Sequence, residues 1–354
     1  MDKIHLLEPE KMWFSGEGPE NDCVISSRVR LSRNLADHHF NEKMLEKESR
    51  EVQEQIQNSL DSSGKEKNEI EAVSIGDLSN LQRRILMERN IIPQEYTLEK
   101  QRKVLLGKEK NIYGTINHVD HIRLCAFTNG LDLNRGYSEV NSVEEKLEKK
   151  LEYAVSLDLG YLSTELTNLG TGMKVSTMLH LPALAEAGLA EKTCKAIVQI
   201  GLGVKGFWGD DNHSLGNMYQ IANTVSFGMN EKELIEKLEN ITYQIVHYER
   251  RVREELAEKK RTEIEDKIYR AYGILQYCRS ISAKEAIELL LLIRWGVVLG
   301  WITTSISVVT KLLFLSQTAH IQGFLEAEGR ELSAENVDYY RAELIRKNLT
   351  GERN

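Results

Sequence analysis

Arg28 and Arg30 stand two residues apart at the end of the run Cys23-Val24-Ile25-Ser26-Ser27-Arg28-Val29-Arg30. On an extended strand that spacing puts both guanidiniums on one face. Two cations so placed repel each other unless an anion lies between them, and the planar fork of arginine suits phosphate oxygens. Arg123 follows Asp120-His121-Ile122 in a second β-like run, where a buried guanidinium needs a partner. Lys174 follows the polar, glycine-bearing turn Thr167–Gly172, a kind of turn that presents backbone N–H groups to an anion. These residues describe a polyphosphate clamp if they meet in space. The chemistry such a clamp serves is phosphoryl transfer, which needs positioning and charge neutralisation more than covalent help. Taken alone, Arg28 and Arg30 also fit a solvated basic strand end.

Other motifs weigh less. Gly201-Leu202-Gly203-Val204-Lys205-Gly206 fits a dinucleotide-binding GxGxxG, but residues 207–212 after it read as turn, whereas that fingerprint needs a helix to start within the glycines. There is no GxxxxGK[ST]. His118, His121, His180 and His213 have no i, i+4 pairing and no HExxH, so structural histidines are expected rather than a metal site. Cys23, Cys125, Cys194 and Cys278 form no CxxC pair and no zinc spacing, which suits a reducing cytoplasm.

The elements that must position these residues fall into three stretches. Residues 1–140 mix β-like runs (Cys23–Ser27, Ile70–Ser74, Ile112–Ile116, Ile122–Phe127) with helical patterns near 44–60 and 77–89, and residues 62–68 are a polar loop. Residues 141–232 begin with an expected helix, Val143–Ser156. After the glycine turn come a strand ending in Leu179-His180-Leu181-Pro182, a helix near 185–195, a β-like run Ala196–Gly203, the loop 208–214, and over Ser214–Phe227 a strand or a short helix followed by a strand. From Glu231 onward the pattern is almost wholly helical, with Leu234, Leu238, Ile241, Ile245 and Val252 on one stripe and a break at Lys259-Lys260-Arg261.

The chain has 354 residues, 41% of them hydrophobic and 28% charged, ordinary values for a soluble protein with room for two cores. Four prolines favour a helix-rich chain. A net charge of −8 argues against nucleic acid or anionic membrane as the main partner. The first residues lack a basic region followed by a long apolar run, so no secretory signal is expected. The apolar segment Ala286–Leu315 is interrupted by Arg294, Gly296, Gly300 and Thr303-Thr304-Ser305; it is expected to be a buried helix pair rather than a membrane span. Its richness in apolar residues suggests a homodimer interface.

With these residues in hand, the chain resembles the ATP:guanidino phosphotransferases (phosphagen kinases), and most closely their bacterial branch, the protein-arginine kinases. The similarity is carried by Ser26–Asn34, Asn117–Arg123, Gly160–Leu184, Gly206–Gly228 and Arg270–Leu349. It implies an α+β fold: a glutamine-synthetase/guanidino-kinase-like catalytic domain over residues 1–258, with an antiparallel sheet flanked by helices, and a C-terminal helical domain over 259–354. It implies transfer of the γ-phosphoryl of Mg-ATP (ATP and Mg²⁺ as cofactors) to arginine side chains in proteins, in the cytoplasm and in stress response. Implied partners are protein substrates, a small zinc-binding activator protein and protease or chaperone machinery. Arg28, Arg30 and Arg123 map to the nucleotide clamp, and His121 joins the nucleotide-binding set.

The same resemblance locates departures. The family's Asn-Glu-Glu-Asp-His-x-Arg stands here as Asn117-His118-Val119-Asp120-His121-Ile122-Arg123, so Val119 replaces a glutamate that grips the guanidinium. Glu165 occupies the reactive-cysteine position and Leu166 the proline after it. Lys174 and Lys205 replace clamp arginines, keeping charge but losing the fork. Asp210 follows Gly209 where the family has glutamate. In one reading Glu165 and Asp210 supply the two carboxylates facing the guanidinium. In the other the chain is a pseudokinase, a nucleotide-binding or scaffolding regulator. The family's phosphoarginine-binding Arg-Asp pair falls on Val337-Asp338, so its arginine is absent.

Overall fold

In Val24–Arg33 (β1), Val29 and Leu31 are buried while Arg28 and Arg30 between them are half-buried, so the strand has two unlike faces. The computed structural model describes residues 12–60, 70–108, 111–206 and 215–350. After β1 come α1 (Glu46–Leu60), β2 (Ile70–Ser74), α2 (Asn80–Glu88), β3 (Lys103–Gly107), β4 (Ile112–Ile116), β5 (Ile122–Asn129) and α3 (Leu133–Glu148). A small pair, β6 (Val155–Ser156) and β7 (Gly160–Tyr161), precedes β8 (Met173–His180), α4 (Pro182–Glu186), α5 (Ala190–Gln199), β9 (Leu202–Gly206) and β10 (Met218–Asn223). The helices α6 (Glu231–Lys259), α7 (Arg261–Tyr277), α8 (Ala283–Val298), α9 (Ile306–Leu315), α10 (Thr318–Ala327) and α11 (Ala334–Thr350) complete the described chain.

Eight strands form one antiparallel sheet in the order β2-β3-β4-β5-β1-β8-β10-β9. The α+β architecture expected from the resemblance is therefore present. Helices α3 and α6 cover the face that carries Val29. A Cβ on Gly136 of α3 would come within 3.2 Å of the Val29 side chain, and Thr242 of α6 meets Thr177 of β8 at 3.3 Å. The opposite face carries Arg28 and Arg30. Near Phe127 that face is covered by Trp13, stacked at 5.1 Å, which in turn touches Phe314 of α9 at 4.7 Å.

Several sequence expectations need correction. The helix expected at Val143–Ser156 runs from Leu133 to Glu148, capped by the Asp132 side chain. Gly136 hides its start from a propensity reading; it sits where α3 packs closely on β1, a Cβ there meeting the Val29 side chain at 3.2 Å. The chain then turns extended because Ala154 donates to the Asn34 carbonyl at 2.8 Å. The helix near 185–195 is two helices, α4 and α5, and the run Ala196–Gly203 is the end of α5 followed by β9. A short apolar run does not distinguish helix from strand by itself. Strand β9 passes straight through the GxGxxG glycines, so no helix begins within them. The loops at 62–68 and 208–214 lie outside the described residues.

The helical half is joined to the sheet by buried polar contacts. Arg294, 1% exposed, donates to the carbonyls of Asp22 and Asn21 and to His180. The Glu88 carboxylate accepts from the backbone of Ala319 and His320, and the His320 ring lies between Glu88 and Arg89. Helices α8 and α9 bury Leu290, Leu291, Ile293, Trp295 and Leu312–Leu315 within the chain itself. Much of the apolar richness of 286–315 is thus consumed internally, while Leu289, Leu292, Val297, Leu299, Trp301 and Val308 stay partly exposed. Among the described residues no helix is long and apolar enough to cross a membrane.

Candidate active site

Cross-strand register turns scattered cations into one surface. Arg30 lies opposite Cys125 of β5 and Lys174 of β8, Ser32 lies opposite Arg123, and Arg28 lies opposite Phe127 and Ser176. Residues directly opposite in an antiparallel pair share a face. Following the pairing outward, Gln220 of β10 faces Met178 and Lys205 of β9 faces Gln220. Arg28, Arg30, Arg123, Lys174 and Lys205 therefore project from the same side of four strands. Among the described residues none of these five forms an ion pair with a carboxylate.

Their surroundings are electrostatically unsatisfied. Burial, then the neighbouring Arg123 and Arg28, push Arg30 down to about 9. Burial, then Arg30, Arg28 and Lys205, push the Lys174 ammonium down to about 8. Burial also lowers Arg28 and Arg123. The Nε atoms of Arg30 and Arg123 are buried without a hydrogen-bond partner. Arg28 lies over the Phe127 ring at 5.7 Å. A cluster that depresses its own cations and leaves donors unused is built to receive an anion.

Arg123 has a neutral partner. Its Nη1 lies 2.9 Å from His118 Nδ1, and burial together with Arg123 drives that imidazole down to about 4. His118 therefore accepts from the guanidinium without cancelling its charge. His121, assigned above to the nucleotide-binding set, is instead fully buried. Its Nδ1 accepts from Leu35 N at 3.0 Å and its Nε2 meets the His39 carbonyl at 3.0 Å. Both ring nitrogens are occupied by backbone, which leaves none for a nucleotide. His180 is likewise buried against Arg294. Among the described residues no group of three or more His, Cys, Asp or Glu is placed to hold a metal ion.

The glycine-bearing turn works differently from the expectation. Three of its six N–H groups are used within the fold: Asn168 N to Glu165 O, Leu169 N to Leu166 O and Thr171 N to Ser226 O. What the turn offers the cationic face is a set of side chains. Asn168, 3% exposed, accepts from Arg30 Nη2 at 3.3 Å and donates to Glu165 Oε2 at 3.3 Å. Glu165 is exposed, and its charge is felt by Arg30, Arg123 and Lys174. Gly172 (φ +62°) is required because a Cβ would come within 2.5 Å of the Ser32 carbonyl.

Two residues that sequence reasoning passed over hold this turn. Asp120, 0% exposed, accepts from Asn34 Nδ2 (2.8 Å), Ser163 Oγ (2.8 Å), Thr164 N (3.1 Å) and Asn168 Nδ2 (3.4 Å). Thr164 Oγ1 also donates to the Val119 carbonyl at 3.0 Å, so the Glu165 loop is tied to the Val119 backbone. Arg33, paired with Glu144 at 2.7 Å and stacked 3.5 Å from the Tyr161 ring, donates to the Thr171 carbonyl. Arg33 ends β1, three residues after Arg30, and that proximity was the one signal in the sequence. Asp210 lies outside the described residues.

In the helical half, Val337 is buried against Ile321 and Leu325, and Asp338 pairs with the buried Arg341. Asp338 is thus engaged by an arginine from one turn later in its own helix.

The chain is similar in sequence and in fold to known proteins. Residues 51–252 match the family described as "ATP:guanido phosphotransferase, C-terminal catalytic domain". Residues 261–354 match "Protein-arginine kinase McsB C-terminal domain". Proteins named protein-arginine kinase from Bacillus cereus (strain AH187) and Bacillus anthracis are 35% identical over 356 aligned positions, covering 100% of this chain and 99% of theirs. A lombricine kinase structure superposes with a TM-score of 0.57 at 21% identity, covering 69% of this chain and 70% of that one. The substrate-free duplicated taurocyamine kinase of Schistosoma mansoni gives 0.56 at 22% identity, covering 66% of this chain and 35% of that one. At these identities the two structures speak for the fold alone.

Proposed function

The chain belongs to the ATP:guanido phosphotransferase family, and from that premise we propose that it transfers the γ-phosphoryl of ATP to the guanidinium of an arginine side chain in a protein. The observation that carries the reading is the face of five cations without a carboxylate counter-ion among the described residues. A triphosphate supplies the charge this face lacks. Arg28, Arg30, Arg123, Lys174 and Lys205 hold it and neutralise the charge that spreads over the transferred group. Mg²⁺ travels to the site on the nucleotide's phosphates in this reading, and no step is assigned to it. The protein acceptor is taken from the name of the relatives, and a C-terminal helical domain beginning near the break at Lys260 from the second family match, over residues 261–354.

Glu165 stands at the edge of the cationic face, tethered through Asn168 to Arg30 and through Thr164 to Val119. From there its carboxylate orients the acceptor guanidinium in place of the glutamate that Val119 replaces, with Asp210 as the second carboxylate. As the N–P bond forms and ADP leaves, one guanidinium proton passes to a carboxylate. The specific observation favouring a pseudokinase is Val119 itself, an apolar side chain at a guanidinium-gripping position.

Incubation with radiolabelled ATP, Mg²⁺ and an arginine-rich protein decides between the two. Acid-labile, base-stable label that disappears in Glu165→Ala and in Asp210→Ala is the expected result. ATP binding by calorimetry with no label at any enzyme concentration would overturn the kinase in favour of the nucleotide-binding regulator.

A further inference from the structure

A groove of about 620 Å³ opens beside the glycine turn, and none of its lining residues is Lys, Arg or His. Leu159 (42% exposed), Phe227 (50% exposed) and Met229 give it an apolar character. Asp158 and Glu231 add charge, and neither makes an ion pair among the described residues. The remaining acids are occupied: Glu148 accepts from Tyr161 and Glu233 closes the capping box on Asn230. Exposed apolar side chains grouped with unpaired carboxylates mark an interaction surface whose partner brings cations and apolar groups together. A second copy of this chain, with a net charge of −8, is a poor complement.

The groove also has a position relative to the cationic face. Gly170 and Thr171 line it, and Glu165 belongs to the same loop. Five residues of chain span at most about 18 Å even when fully extended, so the groove lies within that reach of Glu165. A peptide in extended conformation covers the same distance with about five or six residues.

We propose that the groove holds a basic, apolar-containing segment of the protein substrate, within about five or six residues of the acceptor arginine. The inference rests on the protein-arginine reading above and extends it to substrate selection. Asp158 and Glu231 meet the Lys or Arg side chains of that segment while Leu159, Phe227 and Met229 take its apolar ones.

The test uses the full chain without nucleotide and a set of fluorescent peptides, each carrying one arginine and a short Lys/Leu/Phe segment within about five or six residues of it. Anisotropy reads binding directly. Asp158→Lys and Phe227→Ser each weaken binding about tenfold or more, while a peptide whose lysines are replaced by glutamate binds Asp158→Lys better than the parent chain. Both positions are exposed, and an unchanged thermal unfolding midpoint verifies the fold. Equal affinity in parent and variants overturns the proposal, as does a change in sedimentation with peptide affinity unchanged, which would make the groove a self-association surface. Binding requires no transfer, so the two readings fail separately. Groove-dependent peptide binding without label transfer overturns the kinase and retains the groove; transfer by a chain indifferent to groove variants overturns the groove alone.

Discussion

Lys174→Met separates the two roles of the cationic face, because the substitution must change apo stability and nucleotide affinity in opposite directions. In the free protein the Lys174 ammonium is held at about 8 instead of its ordinary 10.5 by burial and by Arg30, Arg28 and Lys205. At about 1.4 kcal/mol per tenfold change that corresponds to roughly 3 kcal/mol of unfavourable environment, and solvent screening of a partly exposed group reduces it to about 1–2 kcal/mol. Methionine keeps the length of the stem and removes the charge. The apo chain is expected to gain about 1–2 kcal/mol, roughly 1–3 °C in unfolding midpoint for a chain of this length. With a polyphosphate bound, the same ammonium faces an anion at about 4 Å, worth about 4 kcal/mol per unit charge at an effective dielectric near 20 before screening. Loss of about half of that weakens ATP binding about ten- to thirtyfold. Thermal unfolding with and without Mg-ATP, together with calorimetric titration of the nucleotide, measures both. A variant that is less stable without ATP and binds it as tightly as the parent would refute the assignment of this face to a phosphate ligand.

The same ammonium makes binding pH-dependent. An anion raises a lysine pKa that the free fold has lowered, so ATP binding takes up a proton above about pH 8, and affinity declines as the pH rises from about 8 toward 10.5; calorimetry in buffers of different ionisation enthalpy detects the uptake. In the fold alone the sign is reversed relative to an ion-paired lysine: the unfolded chain binds more protons between about 8 and 10.5, so this group's contribution to stability rises through that window. Asp120→Ala strands the donors of Asn34, Ser163, Thr164 and Asn168, for an expected loss of about 2–4 kcal/mol in denaturant unfolding and a fall in phosphoryl transfer larger than the fall in ATP affinity. Glu144→Leu leaves the Arg33 guanidinium buried without its counter-ion, costing about 3–5 kcal/mol. Adding Arg33→Met recovers much of that stability but not nucleotide affinity, because the Thr171 carbonyl then has no guanidinium to hold it.

Residue type and spacing alone determined the same-face pair Arg28 and Arg30, since a two-residue period is a property of any strand. The capping boxes at Ser79 and Asn230, which set the starts of α2 and α6, are equally local. The rejection of GxGxxG as a nucleotide fingerprint was local too, because the turn residues after it already ruled out a helix start. The family frame from Gly160 to Pro182 was legible as a pattern, including the two positions, Glu165 and Lys174, where chemistry departs from it.

Tertiary structure decided what those residues meet. Strand register, fixed by pairings among β5, β1, β8, β10 and β9, brings Arg123 and Lys205 to the face of Arg30 across long stretches of chain. No local pattern encodes that alignment, because each pairing depends on hydrogen bonds to a distant strand. Burial depth divided the histidines: His118 serves Arg123, while His121 is consumed by the Leu35 and His39 backbone. The early start of α3 and the internal fate of segment 286–315 follow from packing partners, Val29 for one and the sheet's own coverings for the other. Chemical identity resides in the side chains, but whether five cations act as one site is a long-range geometric fact, and only the folded sheet supplies it.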